Sequence, residues 1–76
     1  MSELSKKVNR YFDEATKSDV DKLKEDILIS EHLKRVLELR YIEGRDINYI
    51  AYITGYSKGK IEADLRKIRK KISKII

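Results

Sequence analysis

The chain contains no cysteine, no proline and no tryptophan, and its only histidine is His32. The absence of cysteine excludes disulfide bonds, thiolate zinc sites and thiol nucleophiles, and one histidine cannot form a histidine-rich metal site. The acidic residues fall on predicted helix surfaces, where no apolar pocket is expected to tune them for acid–base catalysis. We therefore expect no catalytic residue, no metal and no cofactor, and a protein that is not an enzyme.

Long hydrophobic runs are also missing. No apolar stretch approaches the roughly 18 residues of a membrane span, and the first ten residues, MSELSKKVNR, lack the apolar core of a signal peptide. We therefore expect a cytoplasmic protein without a membrane partner. The length of 76 residues allows one small domain, residues 1–76, with a thin core, because such a chain buries only about 60% of its unfolded surface.

Helix-breaking residues are scarce as well, since glycine occurs three times and proline never. No segment alternates apolar and polar residues over the length of a strand, whereas apolar residues recur at helical spacing. The predicted fold class is therefore all-α, a compact bundle of four to five helices with a C-terminal helix-turn-helix. The first helix is predicted from about Ser2 to Lys17, and its apolar stripe consists of Leu4, Val8, Tyr11, Phe12 and Ala15.

Capping residues predict where the other helices begin and end. The predicted N-caps are Ser18, Ser30, Asp46 and Ser57, and the predicted helix-ending glycines are Gly44 and Gly55. The apolar faces of the second and third helices are Val20, Leu23, Ile27 and Leu28, then Leu33, Val36, Leu37 and Tyr41. The fourth helix holds Ile47, Ile50, Ala51 and Ile53, and the fifth extends from Ser57 almost to Ile76.

Positive charge is concentrated in this last helix. Residues 57–76 carry eight basic and two acidic side chains, a net charge of +6, whereas residues 1–56 carry ten basic and eleven acidic ones, a net charge of −1. An apolar seam recurs at steps of four and three residues and consists of Ile61, Leu65, Ile68, Ile72 and Ile75. At about 100° per residue, the opposite edge consists of Gly59, Ala63, Arg66 and Lys70. A helix with one buried edge and one basic edge suits a nucleic-acid backbone. The same charge pattern also fits a solvated lysine-rich helix or a helix on an anionic membrane surface.

The segment before this helix favours DNA binding further. A short helix, a tight turn at residues 55–57 and a longer basic helix form a helix-turn-helix pattern. Ala51 is small where the two helices would cross, Gly55 can adopt the positive φ of the turn, and Ser57 can cap the second helix. The core of this unit is expected to consist of Ile50, Ile53, Ile61 and Leu65, with Tyr56 filling the corner.

The same residues resemble region 4 of the sigma-70 family of bacterial transcription initiation factors. Residues 37–44, LELRYIEG, are similar to the family's helix that ends in Leu-Arg-Tyr and an acidic-Gly turn. Residues 50–61, IAYITGYSKGKI, are similar to its Ile-Ala-x-x-x-Gly-x-Ser-x-Gly-x-Val signature, and the match continues through Leu65, Arg69, Lys70, Lys71 and Ile72. The resemblance covers residues 30–72 without a gap. It divides the chain into N-terminal helices, 1–29, and a helix-turn-helix unit, 30–76.

This resemblance implies a domain that reads promoter DNA in the major groove and contacts RNA polymerase. Lys60 and Ala63 stand where the family usually has a hydroxyl or polar residue, and Asp64 stands where a basic residue is common, so a different set of base contacts is expected. A length of 76 residues leaves no room for the sigma domains that melt DNA. We therefore expect a stand-alone transcription regulator of a bacterium, phage or mobile element.

The predicted contacts to double-stranded DNA fall into two sets. Base edges are expected to meet Lys58, Gly59, Lys60, Glu62, Ala63 and Arg66, because lysine and arginine donate to guanine, glutamate accepts from cytosine, and small residues allow close approach. Phosphates are expected to meet Arg45, Asn48, Tyr49, Ser57, Lys67, Arg69, Lys70 and Lys74. Glu62 could instead pair with Arg66, and Tyr49 could pack against the bundle. His32 is expected to lie on the surface without a role.

Other functions fit the same motif. An accessory protein that binds RNA polymerase or a sigma factor would carry it, and so would an accessory factor of DNA packaging or recombination. The first 29 residues carry little functional signal. They and the end of the last helix nevertheless have more apolar residues than one narrow helical stripe needs. These residues are Tyr11, Phe12, Ile27, Leu28 and Ile29, then Ile68, Ile72, Ile75 and Ile76. This surplus predicts a homodimer, in which two recognition helices one DNA turn apart would bind a palindrome.

Overall fold

The computed structural model describes residues 3–76, without the side chains of Leu4 and Ser5. Within this range it contains five helices and no strand, which confirms the predicted all-α fold class. The helices are α1 (Glu3–Glu14), α2 (Lys17–Asp26), α3 (Glu31–Leu37), α4 (Ile47–Thr54) and α5 (Lys58–Ile75), and α3 continues directly into a π-helical segment, Glu38–Ile42. The predicted start of the first helix at Ser2 and the predicted place of the Leu4 side chain lie outside what the structure describes.

Short polar side chains begin four of these helices. Ser30, Asp46 and Ser57 accept hydrogen bonds from backbone N–H groups in the first turns of α3, α4 and α5, at 3.3, 2.8 and 3.2 Å, as predicted. The prediction that Ser18 caps α2 is wrong. Thr16 accepts from the Asp19 N–H while the Asp19 carboxylate accepts from the Thr16 N–H. This reciprocal capping box satisfies two backbone donors at once, and α1 accordingly ends at Glu14 rather than Lys17.

The two turns that follow α3 and α4 depend on glycine. Gly44 and Gly55 have φ angles of +70° and +79°, a conformation in which a side chain would be strained. Just before Gly44 the helix widens, because the Glu43 N–H donates to the Glu38 carbonyl five residues earlier, at 2.9 Å. The predicted third helix, from Ser30 to Gly44, is therefore α-helical only in its first half.

The core lies along the inner face of α5, which packs against α1, α2, α3 and α4. Its buried apolar side chains come from all five helices and their connections: Val8, Leu23, Ile27, Val36, Leu37, Leu39, Ile50, Ile61, Leu65, Ile68 and Ile72. Within residues 3–76, no helix is both long and apolar enough to span a bilayer.

Three residues predicted on apolar faces are exposed instead. Leu28 is 85% exposed, because α2 ends at Asp26 and the connection to α3 turns this side chain outward. Ile53 is 41% exposed, because the inner stripe of α4 is formed by Ile50 with its neighbours at positions 47, 51 and 54. Ile75 is exposed at the last turn of α5, where the bundle no longer covers the helix.

Candidate nucleic-acid interface

Helices α4 and α5 are joined by three residues, Gly55–Ser57, and pack against each other. The Gly55 N–H donates to the Ala51 carbonyl at 3.0 Å and ends α4, and the left-handed φ of Gly55 turns the chain toward Ser57. Ile50, Ile61 and Leu65 are buried between the helices and the rest of the bundle. This packing fixes which side of α5 faces the core and which side faces solvent.

The two edges of α5 differ as its sequence predicts. The apolar seam is buried at Ile61, Leu65, Ile68 and Ile72, each exposed by 2% or less. Most residues on the opposite side are exposed: Lys58, Gly59, Glu62, Arg66, Lys67, Lys70 and Lys74. Ala63 and Arg69 on the same side are half-buried. We call this second set, together with Ala63 and Arg69, the outer edge of α5.

The positive charges of the outer edge are not cancelled by neighbouring acids. Among the ion pairs that the structure describes within residues 3–76, none involves Arg66, Lys67, Lys70 or Lys74. In particular, the alternative pairing of Glu62 with Arg66 does not occur there, and both side chains are exposed. The outer edge therefore presents cations to solvent, as a phosphate-binding surface requires.

Lys60 is held differently from the other basic residues of α5. Its ammonium lies 3.1 Å from Oδ1 of Asp64, one turn further along the helix. Asp64 is 1% exposed, and its Oδ2 lies 2.7 Å from Nε2 of His32 on α3. Burial raises the pKa of the Asp64 carboxyl, but the hydrogen bonds with His32 and Lys60 outweigh burial and leave this pKa below its ordinary value. The carboxylate is thus ionised and shared between two partners.

His32 has a structural partner that its sequence position does not indicate. The prediction that it is a surface residue without a role is wrong: its side chain is 27% exposed, and it joins α3 to α5 through Asp64. Its ring also packs on the ring of Tyr56, with centroids 4.6 Å apart. Tyr56 itself remains half exposed over this corner. An i,i+4 pairing of Lys60 with Asp64 could have been read from the sequence, whereas a contact across 32 residues could not.

The predicted phosphate contacts near the start of α4 form a second group. The Arg45 guanidinium lies 4.7 Å from the centre of the Tyr49 ring, in cation–π geometry. Tyr49 is half-buried and packs against the core, as the alternative to a phosphate contact predicts. Arg45 and Asn48 are exposed. Ser57 accepts the Lys60 N–H at 3.2 Å, which leaves its hydroxyl hydrogen free to donate to a phosphate.

The C-terminal half of the outer edge borders a shallow groove of about 340 Å³. Its apolar part consists of Leu28, Ile29 and Leu33, from the α2–α3 connection and α3. Its basic rim consists of Lys67, Lys70, Lys71 and Lys74. Elsewhere in residues 3–76, no cluster of three or more carboxylate or imidazole groups is arranged to hold a metal ion. The groove combines apolar side chains with a basic rim that it shares with the outer edge of α5.

Comparison with known proteins gives no relative: no protein-family model matches the chain, and no curated protein and no solved structure is significantly similar to it. The resemblance of residues 30–72 to sigma region 4 stays a prediction. The geometry of α4 and α5 is therefore the basis for the function proposed next.

Proposed function

We propose that the protein binds double-stranded DNA sequence-specifically, as a small transcription regulator, and that the outer edge of α5 enters the major groove. In this proposal α4, the turn and α5 act as a helix-turn-helix, with α4 across the backbone. The observation that carries it is the outer edge of α5, which is exposed, basic and unpaired by acids among the described residues. An edge that the fold does not use for packing is available to a ligand.

Base contacts would come from the first half of this edge. Lys58 and Arg66 can donate to O6 and N7 of guanine, and Glu62 can accept from N4 of cytosine. Gly59 and Ala63 have no side chain beyond Cβ, and nothing lies within 4 Å of a Cβ built on Gly59, so the helix backbone can approach the base pairs closely. Lys60 would contribute once it leaves Asp64.

Phosphate contacts would come from the second half of α5 and the start of α4. Arg45, Asn48 and Ser57 can donate to phosphate oxygens on one side of the groove, and Tyr49 can add its hydroxyl. On the other side the basic residues are Lys67, Arg69, Lys70 and Lys74. Each neutralised phosphate releases condensed counterions, which gives affinity that falls steeply with salt.

Salt-titrated binding to a duplex tests this proposal. We expect the logarithm of the binding constant to fall linearly with the logarithm of salt concentration, and Lys70→Gln to reduce that slope by about 1. Lys22→Gln is the matched control, because Lys22 is an exposed lysine on α2 and is not part of the outer edge of α5. Equal slopes for the wild type and Lys70→Gln, or the same reduction in Lys22→Gln, would count against the proposed orientation.

Sequence specificity needs its own measurement. Fragments selected from the source genome should bind on the order of 10³-fold or more tighter than random duplex at the same salt concentration. A ratio near one would leave a non-specific DNA-binding protein. A palindromic selected site, with half-sites about one DNA turn apart, would support the predicted homodimer. Sedimentation that shows only a monomer at high protein concentration would contradict the homodimer.

A second candidate function is docking on a partner protein, such as RNA polymerase or a sigma factor. The exposed Leu28 beside the half-buried Ile29 and Leu33, within a basic rim, favours it. This surface suits a segment with apolar side chains flanked by carboxylates. Leu28→Gln should weaken binding to purified polymerase holoenzyme and leave DNA binding unchanged. Unchanged polymerase binding in that variant would remove this candidate.

A further inference from the structure

We infer that Asp64 and His32 are positioning residues for Lys60: they hold its ammonium away from DNA in the free protein, and His32 takes up a proton when Lys60 leaves Asp64 for the DNA. This inference rests on the proposed DNA-binding function of α5. It explains why a carboxylate is buried beside the predicted base-reading set, where it would otherwise repel phosphates.

Lys60 is placed to exchange partners without a change in the backbone. It lies in the first turn of α5, its side chain is 44% exposed, and its Nζ reaches Asp64 from the solvent side. A lysine ammonium on a flexible four-carbon stem can rotate outward toward a base edge. The nearest aromatic ring, that of Tyr56, has its centroid 6.0 Å from this Nζ, at the limit of cation–π contact, and therefore holds the ammonium only weakly.

The departure of Lys60 leaves Asp64 short of positive charge. The carboxylate is 1% exposed, and a buried carboxylate that loses its cation is strongly destabilised. Its remaining partner is Nε2 of His32, at 2.7 Å. A neutral imidazole can donate one hydrogen bond there, but only an imidazolium replaces the lost charge.

The proton balance of this exchange is simple. An ionised carboxylate only accepts, so a neutral His32 would donate to Asp64 from an Nε2 that carries the hydrogen. The new proton would then come from water and bind Nδ1. Asp64 is ionised while both partners are in place, since the hydrogen bonds with His32 and Lys60 keep its pKa below the ordinary value. In this exchange the imidazolium then replaces the charge of Lys60, and Asp64 remains a carboxylate. The His32 side chain is 27% exposed, which gives water access to the ring.

Few other charged groups oppose or assist this protonation. From α5, Asp64 and Lys60 face the imidazole, and from the turn the Tyr56 ring covers it. On α3 itself, the neighbouring Glu31 side chain is 95% exposed, and its carboxylate lies 3.8 Å from the Lys34 ammonium. The exchange of Lys60 is thus the main change in charge that His32 experiences within the described residues.

Proton uptake makes DNA affinity depend on pH. A complex that holds one more proton than the free components binds more tightly as pH falls. Where binding takes up one proton, the dissociation constant should rise by up to about tenfold per pH unit. Phosphate contacts by lysine and arginine have no such dependence near neutral pH, because both side chains stay charged.

Calorimetric titration with one selected duplex, in two buffers of different ionisation enthalpy, counts the protons. We expect uptake of about one proton per bound wild-type protein near neutral pH, and ¹⁵N spectra of the single imidazole should show the cationic form on addition of DNA. Lys60→Met should bind more weakly and take up no proton, since its His32 already serves as the cation of Asp64. Lys67→Met, the matched control with no bond to Asp64, should also bind more weakly but keep the uptake.

Asp64→Asn separates this exchange from a general effect of DNA phosphates on a nearby histidine. The Asp64→Asn variant should take up no proton on binding DNA. If this variant does not fold, His32→Gln replaces it and should bind DNA with an affinity independent of pH between about 6 and 8. Unchanged uptake in Lys60→Met or in folded Asp64→Asn would overturn the inference, as would wild-type binding without a proton. Failure of the wild type to bind any duplex at low salt would instead overturn the proposed function itself.

Discussion

The inner and outer edges of α5 belong to one helix but depend on different physics. The inner edge is apolar at Ile61, Leu65, Ile68 and Ile72, and it forms the centre of the core. The outer edge makes no contribution to that core, yet its six basic side chains and one acidic side chain give a net charge of +5, as large as that of the whole chain. A small domain has little stability to spare, so stability alone does not explain a concentration of cations on one exposed edge. The DNA ligand proposed above would explain it.

The largest expected difference between the edges is in stability. Ile68→Ala removes a fully buried side chain and should lower the free energy of unfolding by about 2–5 kcal/mol. Arg66→Ala on the outer edge should change it by no more than about 0.5 kcal/mol. Urea denaturation followed by circular dichroism measures both. Similar losses in the two variants would show that the outer edge is part of the fold.

The next difference is in DNA affinity, where the roles of the edges reverse. Arg66→Ala should cost roughly 1–3 kcal/mol of binding free energy and relax specificity at one base position. Arg10→Ala, an exposed arginine on α1, is the control and should bind normally. Competition with duplexes substituted at single positions measures this effect. Equal weakening for every duplex would make Arg66 a phosphate contact rather than a base reader.

A smaller effect is expected at the start of α5, where both edges begin. Ser57→Ala removes the side-chain acceptor for the Lys60 N–H and should lower stability by about 1 kcal/mol. Ser18→Ala is the matched control, because Ser18 lies inside the first turn of α2 and Thr16 is the cap there. Thermal unfolding measures the stability of both variants. An equal loss of stability in Ser57→Ala and Ser18→Ala would contradict the cap assignments.

The smallest effect concerns acid stability. The pKa of Asp64 is lowered in the folded protein, so this group adds stability above its unfolded pKa of about 3.9, and the contribution is lost as pH falls through the folded pKa. Asp64→Asn should therefore show a shallower loss of stability below about pH 4 than the wild type. Identical acid profiles would mean that Asp64 does not gain from its two partners.

Features set by local spacing could be predicted from the sequence. The seam of α5 repeats every three or four residues, and the caps Ser30, Asp46 and Ser57 act within three residues of themselves. Both are therefore visible in a single segment. Ser18 fails as a predicted cap because a reciprocal pair of hydrogen bonds with Asp19 makes Thr16 the better cap.

Features set by packing could not be predicted in this way. The exposure of Leu28 depends on how the α2–α3 connection leaves the bundle, and the widened segment Glu38–Ile42 has no pattern of its own. The bond between His32 and Asp64 joins residues 32 positions apart. Only the relative placement of α3 and α5 brings these two side chains together, and no periodicity encodes it.

The most direct test of DNA binding by the outer edge is to follow backbone amide NMR signals while a selected duplex is added. The largest changes are predicted at Gly59, Ala63 and Arg66 and at the start of α4, with little change at the buried seam. Amides of α1 and α2 should stay almost unchanged. The strongest changes in α1 or α2, with α5 unaffected, would contradict the proposal that the outer edge of α5 binds DNA.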